Sequence, residues 1–169
     1  MAREIPNSTR TRGPSPADRL IAQNRRASHD YFILATYEAG LALSGTEVKS
    51  LRQGKASLAE AYATVEGEEA WVIQLHIPPY EQGNRSNRDP LRKRKLLLHR
   101  AEIEKLKDAV ARKGQTLVPL KLYFARGYAK LLIGVGKGKK TYDKRHAIAE
   151  RDAKREMDRA RRISRLARG

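Results

Sequence analysis

The chain has 169 residues, with 36 lysines and arginines, 19 aspartates and glutamates, and no cysteine. Its net charge of +17 favours a polyanionic partner, most commonly a nucleic acid, with an anionic membrane surface as the alternative. Disulfides, a thiolate nucleophile and a thiolate zinc site are excluded. Because no apolar run reaches the length of a membrane span and the first residues lack the apolar core of a secretion signal, we expect a cytoplasmic protein without a membrane partner.

Composition divides the chain into three parts. Residues 1–22 are polar and interrupted by prolines, so apolar burial cannot offset the entropy of ordering, and we predict a disordered N-terminal extension. Residues 23–135 contain the apolar runs and form the predicted folded domain. Residues 136–169 carry thirteen basic and five acidic side chains and form a predicted basic C-terminal tail.

The apolar runs of the domain alternate at period two and are separated by turn residues, which is typical of short, half-buried strands. The predicted elements are strands at 31–37, 41–43, 61–65, 70–77, 118–124 and 129–135, helices at 46–53 and about 99–113, and a long loop at 78–90. Gly40 is interpreted as the turn between the first two strands. This order predicts a mainly β fold, a small closed antiparallel barrel of the oligonucleotide-binding (OB) type with two or three flanking helices.

The last two predicted strands form a hairpin around Arg126-Gly127. Their apolar faces are Val118, Leu120, Leu122 and Phe124 on the first strand, and Ala129, Leu131, Ile133 and Val135 on the second. Lys137, Lys139 and Lys140 follow, interleaved with glycines, where the backbone can approach a phosphate chain while the lysines neutralise its charge. A solvated linker is the alternative interpretation of this run.

Residues 147–167 have high helix propensity but only a thin apolar stripe among arginines. Such a stripe buries too little apolar area to hold a helix against a barrel. We therefore expect a tail that is helical only when it is bound to an anionic groove.

Patterns typical of catalysis are missing. The four histidines lack the spacing of metal ligands, and the segment GVGKGKKT does not have the register of a phosphate-binding loop. Glu38 and Glu47 are not accompanied by a nucleophile or a base. We predict no enzyme activity, no metal and no cofactor.

Two side chains are candidates for contacting RNA. Glu38 is an acid at the end of an apolar strand in a basic chain, where its carboxylate can accept hydrogen bonds from base amino groups; a turn-capping acid is the alternative. Tyr142 follows the last strand, where there is little core to fill, and can stack on a base. The strand tyrosines are more often core residues.

Six segments of the chain carry a resemblance to a known family. They are NRRASHDYFI, EAGLALSGTEVKSLRQGKASL, IPPYEQGNRSNRDPLRKRKLLLHRAEIEKL, TLVPLKLYF, AKLLIGVGKGKKTYDKR and IAERDAKREMDRA. From about Asn24 to the C terminus the chain resembles small protein B, the family of bacterial SsrA-binding proteins that accompany transfer-messenger RNA in trans-translation. Long strings such as GTEVKSLRQGK and GKGKKTYDKR make the resemblance specific.

The resemblance implies an OB-like barrel that binds the tRNA-like domain of transfer-messenger RNA, as a monomer with one RNA, and brings it to stalled ribosomes. Alanyl-tRNA synthetase and elongation factor Tu are implied as indirect partners. Matching motifs assign Glu38, Leu97 and Lys130 to the RNA contact, and the adjoining family segment contains Asn24, Arg25, Arg26 and His29. Together with Lys137, Lys139 and Lys140 these are the predicted RNA-binding residues.

The resemblance also implies that the tail occupies the decoding centre of 16S ribosomal RNA and the empty messenger RNA channel. The tail residues assigned to this contact are Tyr142, Asp143, Lys144, Arg145, Ile148, Glu150, Arg151 and Asp152. A structural RNA-binding protein, such as a component of a ribosomal subunit, is the alternative class, because it would use the same barrel and tail. A nucleic-acid-processing enzyme would require a metal or general-base site.

Overall fold

The computed structural model describes residues 18–166, apart from the side chains of Thr141, Tyr142, Ala147, Arg165 and Leu166. In chain order the elements are β1 (Arg19–Gln23), α1 (Ala27–Asp30), β2 (Tyr31–Leu41), α2 (Gly45–Arg52), β3 (Tyr62–Glu66), β4 (Glu69–Ile73), a 3₁₀ turn (Asn84–Ser86), β5 (Arg94–Leu97), α3 (Arg100–Ala111), β6 (Gln115–Ala125), β7 (Tyr128–Gly138) and α4 (Thr141–Leu166). The chain divides into two units between Gly138 and Lys139.

Six strands form a closed ring in the first unit. The order around the ring is β6, β3, β4, β5, β2 and β7, and β7 pairs with β6 to close it. Every pairing is antiparallel, and β1 lies outside the ring, paired with β6. The prediction of a small, mainly β, closed antiparallel barrel of OB-like type is therefore confirmed.

Apolar side chains from the ring strands and from two helices fill the barrel. Leu51 of α2 and Leu106 of α3 are fully buried in this core together with Leu96, Leu117 and Ile133. Burial of one such side chain stabilises a fold by about 1.5–3 kcal/mol relative to exposure. Both helices lie close to the predicted ranges, so their apolar spacing was a sufficient signal.

Strand β1 corrects the predicted end of the N-terminal extension. Residues 19–22, which we expected to be disordered, belong to this strand. Pairing with β6 satisfies backbone groups on one edge of β1, and Ile21 packs against the barrel core. The segment is therefore ordered although its local composition does not indicate it. The rest of the predicted extension, residues 1–17, lies outside the described residues.

Other strands also differ from the prediction, and the predicted strand 70–77 ends at Ile73 as β4. Gly40 does not form a turn, because β2 continues to Leu41, and residues 42–44 are not in a strand. The strand β5 was not predicted, since its inward positions are Arg94 and Leu96. A buried arginine interrupts the apolar alternation by which strands are recognised in a sequence.

The predicted hairpin of β6 and β7 is confirmed. Its turn residues Arg126 and Gly127 have φ angles of 51° and 80°, as in the tight turns that join twisted antiparallel strands. Glycine adopts these angles without strain, whereas arginine does so less readily. The predicted inward face of β7 is also correct and consists of Ala129, Leu131, Ile133 and Val135.

The predicted face of β6 is correct only in its second half. A bulge between Pro119 and Lys121 shifts the register against β7. Leu117 consequently shares the core with Leu122, whereas Val118 does not belong to it. One extra residue in a strand exchanges the two faces of the sheet, and nothing in the alternation itself reveals it.

The second unit contains α4, a continuous helix of 26 residues. The sequence predicts a tail that is helical only when bound, whereas the structure of the chain alone already places these residues in a helix. The strong helix propensity of its alanines, arginines and glutamates favours this, as does the Asp152–Arg155 ion pair at 3.9 Å, one turn apart. Among residues 18–166, no helix is both long and apolar enough to cross a membrane.

Candidate nucleic-acid interface

The register of the barrel brings Glu38, Leu97 and Lys130 to one place, and we call them the groove group. Gly40 of β2 pairs with Leu97 of β5 on one side and with Lys130 of β7 on the other. Glu38 precedes Gly40 by two residues and therefore lies on the same face of β2. All three side chains line an open groove of about 710 Å³. Residues far apart in the sequence thus form one surface.

The groove combines an exposed apolar side chain with charges of both signs. Leu97 is 53% exposed, so its side chain is available to a ligand. Glu68, Glu69 and Lys95 also line the groove, and Lys95 pairs with Glu69. The acidic side chains offset part of the basic charge here. The groove therefore suits a ligand that offers hydrogen-bond donors and an apolar face rather than a bare phosphate chain.

Glu38 is held by side chains from β6 and β7. Its Oε2 accepts a hydrogen bond from the phenol hydroxyl of Tyr123, and Lys130 Nζ lies 3.9 Å from Oε1. Glu38 and Lys130 are 30% and 32% exposed, so both reach solvent. Burial raises the pKa of Tyr123, and the hydrogen bond and charge of Glu38 raise it further. The phenol is therefore a stable donor.

Gly40 permits the close approach of β2 and β5. A Cβ atom on Gly40 would lie 3.2 Å from Cβ of Leu97, which is tighter than an ordinary contact. Glycine within a strand often marks such an approach. Gly40 thus determines how near Leu97 comes to the strand that carries Glu38.

The basic run Arg92–Lys95 is not a free cationic patch. Lys93 pairs with Glu66 and Lys95 pairs with Glu69, both partners lying at the acidic tip between β3 and β4. The two arginines of the run pair with a buried carboxylate instead. A phosphate chain would have to compete with these partners for the run.

That carboxylate is Glu47 of α2, which is only 5% exposed. It accepts hydrogen bonds from Arg92 Nη2 at 2.6 Å, from Arg94 Nε at 2.8 Å and from the backbone N–H of Ser44 at 2.8 Å. The last of these belongs to a capping box at the start of α2. Burial by itself raises the pKa of Glu47, but the bonds from Arg92 and Ser44 and the charge of Arg94 lower it to about 2.

Arg94 connects this cluster to the surrounding chain. Its guanidinium is fully buried and donates to the carbonyl oxygens of Leu75, Arg92 and Pro90. Burial lowers the pKa of Arg94, and the nearby Glu47 opposes that shift. Because Arg94 lies on β5, the cluster holds in place the strand that also carries Leu97, which lines the groove.

A second set of predicted residues lies between β1 and β2. The backbone N–H of Asn24 donates to the carbonyl of Leu120 at 2.8 Å, and its side-chain Oδ1 accepts from the N–H of Ala27 at 3.2 Å. Asn24 thereby fixes the start of α1. Arg25 and Arg26 are exposed beside it.

Lys137 belongs to the same end of the sheet as α1. It pairs with Phe32, just after α1, whereas Lys130 pairs with Gly40, eight residues further along β2. At about 3.3 Å per residue the two lysines are roughly 23 Å apart along β7. The first unit therefore separates the predicted residues into the groove group and a second set, the α1 group: Asn24, Arg25, Arg26, His29 and Lys137. In the α1 group, His29 Nδ1 lies 2.9 Å from Oδ1 of Asp30.

The predicted tail residues lie in the first turns of α4. Asp143 Oδ2 accepts a hydrogen bond from the N–H of Lys140 at 3.2 Å, and the N–H of Lys144 donates to the carbonyl of Lys140 at 3.0 Å. The Tyr142 side chain lies outside the described residues. Lys139 is half-buried, and the exposed side chains are Lys140, Arg145, Ile148, Glu150, Arg151 and Asp152. In the described part of the chain, no group of three or more histidine and acidic side chains could hold a metal ion.

Comparison with known proteins shows to which family the chain belongs. A family model described as SmpB protein matches residues 21–163. The chain belongs to the SmpB family. An SsrA-binding protein of Anoxybacillus flavithermus is 59% identical over 147 residues, 87% of this chain and 96% of the relative. One of Acetivibrio thermocellus is 61% identical over 141 residues, 83% of this chain and 92% of the relative.

A solved structure shares the SmpB fold. It is described as "tmRNA-SmpB: a journey to the center of the bacterial ribosome" and is 55% identical, with a TM-score of 0.62 over 75% of this chain and 92% of that chain. The family resemblance carried by the six motifs is thus confirmed. SmpB is a family of RNA-binding proteins and not of enzymes.

One residue that contacts the groove group was not found from the sequence. Tyr123 is 85 residues from Glu38 along the chain, and strand periodicity does not tell which strands are neighbours. The one local signal is a hydroxyl between two apolar core residues, Leu122 and Phe124. A strand tyrosine in that setting is more often interpreted as a core residue.

Proposed function

We propose that this chain binds the tRNA-like domain of transfer-messenger RNA, the SsrA RNA, and brings it to stalled ribosomes for trans-translation in the bacterial cytoplasm. The observation that carries the proposal is the groove group, three residues from separate strands that line one open groove in an SmpB-family chain. The relatives are named SsrA-binding proteins, and the description of the solved relative joins tmRNA, SmpB and the ribosome.

Each side chain of the groove group has a chemical role in this proposal. Glu38 accepts hydrogen bonds from base amino groups or ribose hydroxyls, because a carboxylate is an acceptor only. Leu97 packs its exposed side chain against the apolar face of a nucleotide. Lys130 neutralises a phosphate beside them. Together they contact one nucleotide and its backbone.

The α1 group supplies a second contact in the proposal. Arg25, Arg26 and Lys137 are exposed, and Lys137 is roughly 23 Å from Lys130 along β7. Two contacts at that spacing favour an RNA with a fixed folded shape over a flexible single strand. Lys139 and Lys140, at the start of the second unit, are proposed to neutralise further phosphates of the RNA.

The tail is proposed to occupy the decoding centre and the empty messenger RNA channel. Support comes from its charge, thirteen basic against five acidic side chains in residues 136–169, and from the exposure of its charged side chains along α4. Such a helix needs no apolar core when ribosomal RNA supplies the contact surface. Tyr142 is proposed to stack on a base of the decoding centre.

Two further proteins act indirectly in this proposal. Alanyl-tRNA synthetase charges the tRNA-like domain, and elongation factor Tu delivers it, while this chain holds the RNA as a monomer. The closed ring supports a single copy per RNA, since each of its six strands already has two neighbours.

A gel-shift titration tests RNA recognition. The chain is titrated against transfer-messenger RNA and against a folded RNA of similar size and charge at several salt concentrations. We expect a preference for transfer-messenger RNA that persists as salt rises, because shape and hydrogen bonds are screened less than phosphate contacts. Equal affinities that fall together with salt would mean that only the net charge is measured, and a general RNA-binding role would then replace the proposal.

Truncation after Lys140 tests the role of the tail. We expect the truncated chain to keep its affinity for transfer-messenger RNA, because the groove group is intact, and to lose peptide tagging on stalled ribosomes. Full tagging by the truncated chain would contradict the proposed place of the tail. The full-length chain at the same concentration is the control.

A further inference from the structure

Tyr123 is fully buried, yet it does not belong to the barrel core. Its neighbours Leu122 and Phe124 pack in that core, so the Tyr123 side chain projects from the opposite face of β6. This is the outer face, on which Glu38 and Lys130 also lie. A buried aromatic side chain on the outer face requires a reason other than filling the barrel.

The direction of the phenol supplies that reason. Strand β7 lies between β6 and β2, and Tyr123 is paired with Lys130 on β7. Glu38 is paired with Leu132 on the other side of β7. The phenol ring therefore crosses the outer face of β7 diagonally and donates its hydroxyl to Oε2 of Glu38. A charge-assisted bond of this kind is among the stronger side-chain contacts.

The bond distinguishes the two carboxylate oxygens of Glu38. Oε2 is occupied by the hydroxyl of Tyr123, whereas Oε1 has Lys130 Nζ at 3.9 Å, beyond hydrogen-bond distance. Oε1 therefore keeps acceptor capacity, and Glu38 lines the groove. A free glutamate would lose the freedom of its torsions on binding RNA, and a glutamate already held by Tyr123 loses less.

We infer that Tyr123 is a positioning residue for RNA recognition: its hydroxyl orders the Glu38 carboxylate and leaves Oε1 to accept a hydrogen bond from the RNA. Tyr123 itself does not touch the RNA, because it is fully buried. This inference rests on the proposed function and deepens it.

Substitution of Tyr123 by phenylalanine isolates the hydroxyl, since the ring and its packing are kept. Four chains are compared: wild type, Tyr123→Phe, Glu38→Gln and the double variant. Tyr37→Phe is the matched control, because Tyr37 is also a buried strand tyrosine but packs in the barrel core. Affinity for transfer-messenger RNA and for the control RNA is measured by gel shift, and circular dichroism checks the fold.

We expect Tyr123→Phe to weaken binding to transfer-messenger RNA by about tenfold, the loss typical of one hydrogen bond to a charged group, with little change for the control RNA. In the Glu38→Gln background the same change should have no further effect, because the carboxylate that it orders is gone. Tyr37→Phe should bind like the wild type. In proton NMR spectra the hydroxyl resonance of Tyr123 should be absent from Tyr123→Phe and shifted in Glu38→Gln.

Three results would overturn the inference. Wild-type affinity in Tyr123→Phe would show that the hydroxyl is dispensable, and an equal loss in the presence and absence of Glu38 would show that it acts by another route. A wild-type chain without preference for transfer-messenger RNA would overturn the proposed function and this inference with it. The last result is visible in the wild type alone, so the two failures are distinguishable.

Discussion

Replacing Glu47 by glutamine removes the negative charge from a buried cluster while the shape of the side chain is kept. Glu47 is 5% exposed, and its carboxylate faces Arg92 and the fully buried Arg94. In Glu47→Gln the buried Arg94 guanidinium loses its ion-pair partner. Breaking a buried ion pair from one side typically destabilises a protein by about 3–5 kcal/mol.

The pKa of Glu47 gives a second value for the stability that its carboxylate contributes. Folding lowers this pKa from 4.5 to about 2. Because a tenfold change in the acid dissociation constant corresponds to about 1.4 kcal/mol, ionised Glu47 stabilises the fold by roughly 3 kcal/mol at neutral pH. Since the folded-state pKa is the lower one, this stabilisation is fully present above pH 4.5 and is lost as the pH falls toward 2. The value from the pKa agrees with the typical cost of breaking a buried ion pair. A loss of this size is a large fraction of a typical free energy of unfolding of about 5–15 kcal/mol.

Urea denaturation followed by circular dichroism measures the effect. We expect Glu47→Gln to lower the free energy of unfolding by about 3 kcal/mol at pH 7 and by less than half of that at pH 3, where Glu47 of the unfolded chain, with a pKa of 4.5, is already protonated. Glu81→Gln is the control, since Glu81 is 85% exposed and its pair with Lys55, at 3.5 Å, should contribute little. A difference below about 1 kcal/mol at pH 7, or one that is constant between pH 3 and pH 7, would refute this account.

Two other changes have defined outcomes. Gly40→Ala should push Leu97 outward, lower the free energy of unfolding by about 1–3 kcal/mol and weaken binding to transfer-messenger RNA. Gly138→Ala is the control and should leave stability unchanged, because there is open space around the new Cβ. Equal unfolding midpoints in urea for the two variants would contradict the role of Gly40. Glu38→Gln should lower the pKa of Tyr123, because the carboxylate is one cause of its elevation, and ultraviolet absorbance during alkaline titration detects the change. An unchanged Tyr123 titration would mean that the hydrogen bond does not form in solution.

The elements predicted correctly are those whose apolar residues recur at a regular spacing without interruption. Alternation along β7 was enough to find its inward face, because a strand buried on one face repeats every two residues. The bulge of β6 adds one residue, so the same rule placed Val118 in the core instead of Leu117. The strand β5 was missed because Arg94 is tolerated inside only through Glu47, 47 residues earlier in the chain.

The candidate site depends still more on long-range pairing. Glu38 was noticed because an acid at the end of an apolar strand in a basic chain is unusual. Leu97 and Lys130 were assigned from the family motifs, since an exposed leucine and a strand lysine are ordinary residues in a sequence. Tyr123 had no comparable signal, because its role is defined by the order β6, β7, β2 in the ring.

The closure of the ring also determines when the barrel can fold during protein synthesis. Strand β2 begins at Tyr31 and pairs with β7, which ends at Gly138, so the barrel joins distant parts of the chain. Such pairings form slowly, and this one must wait until β7 has been synthesised. At least the 26 residues of α4 are then still to be translated, which takes about 1–5 s at typical rates. The barrel therefore closes late, and the groove group, which needs β2, β5 and β7 together, is completed only at that step.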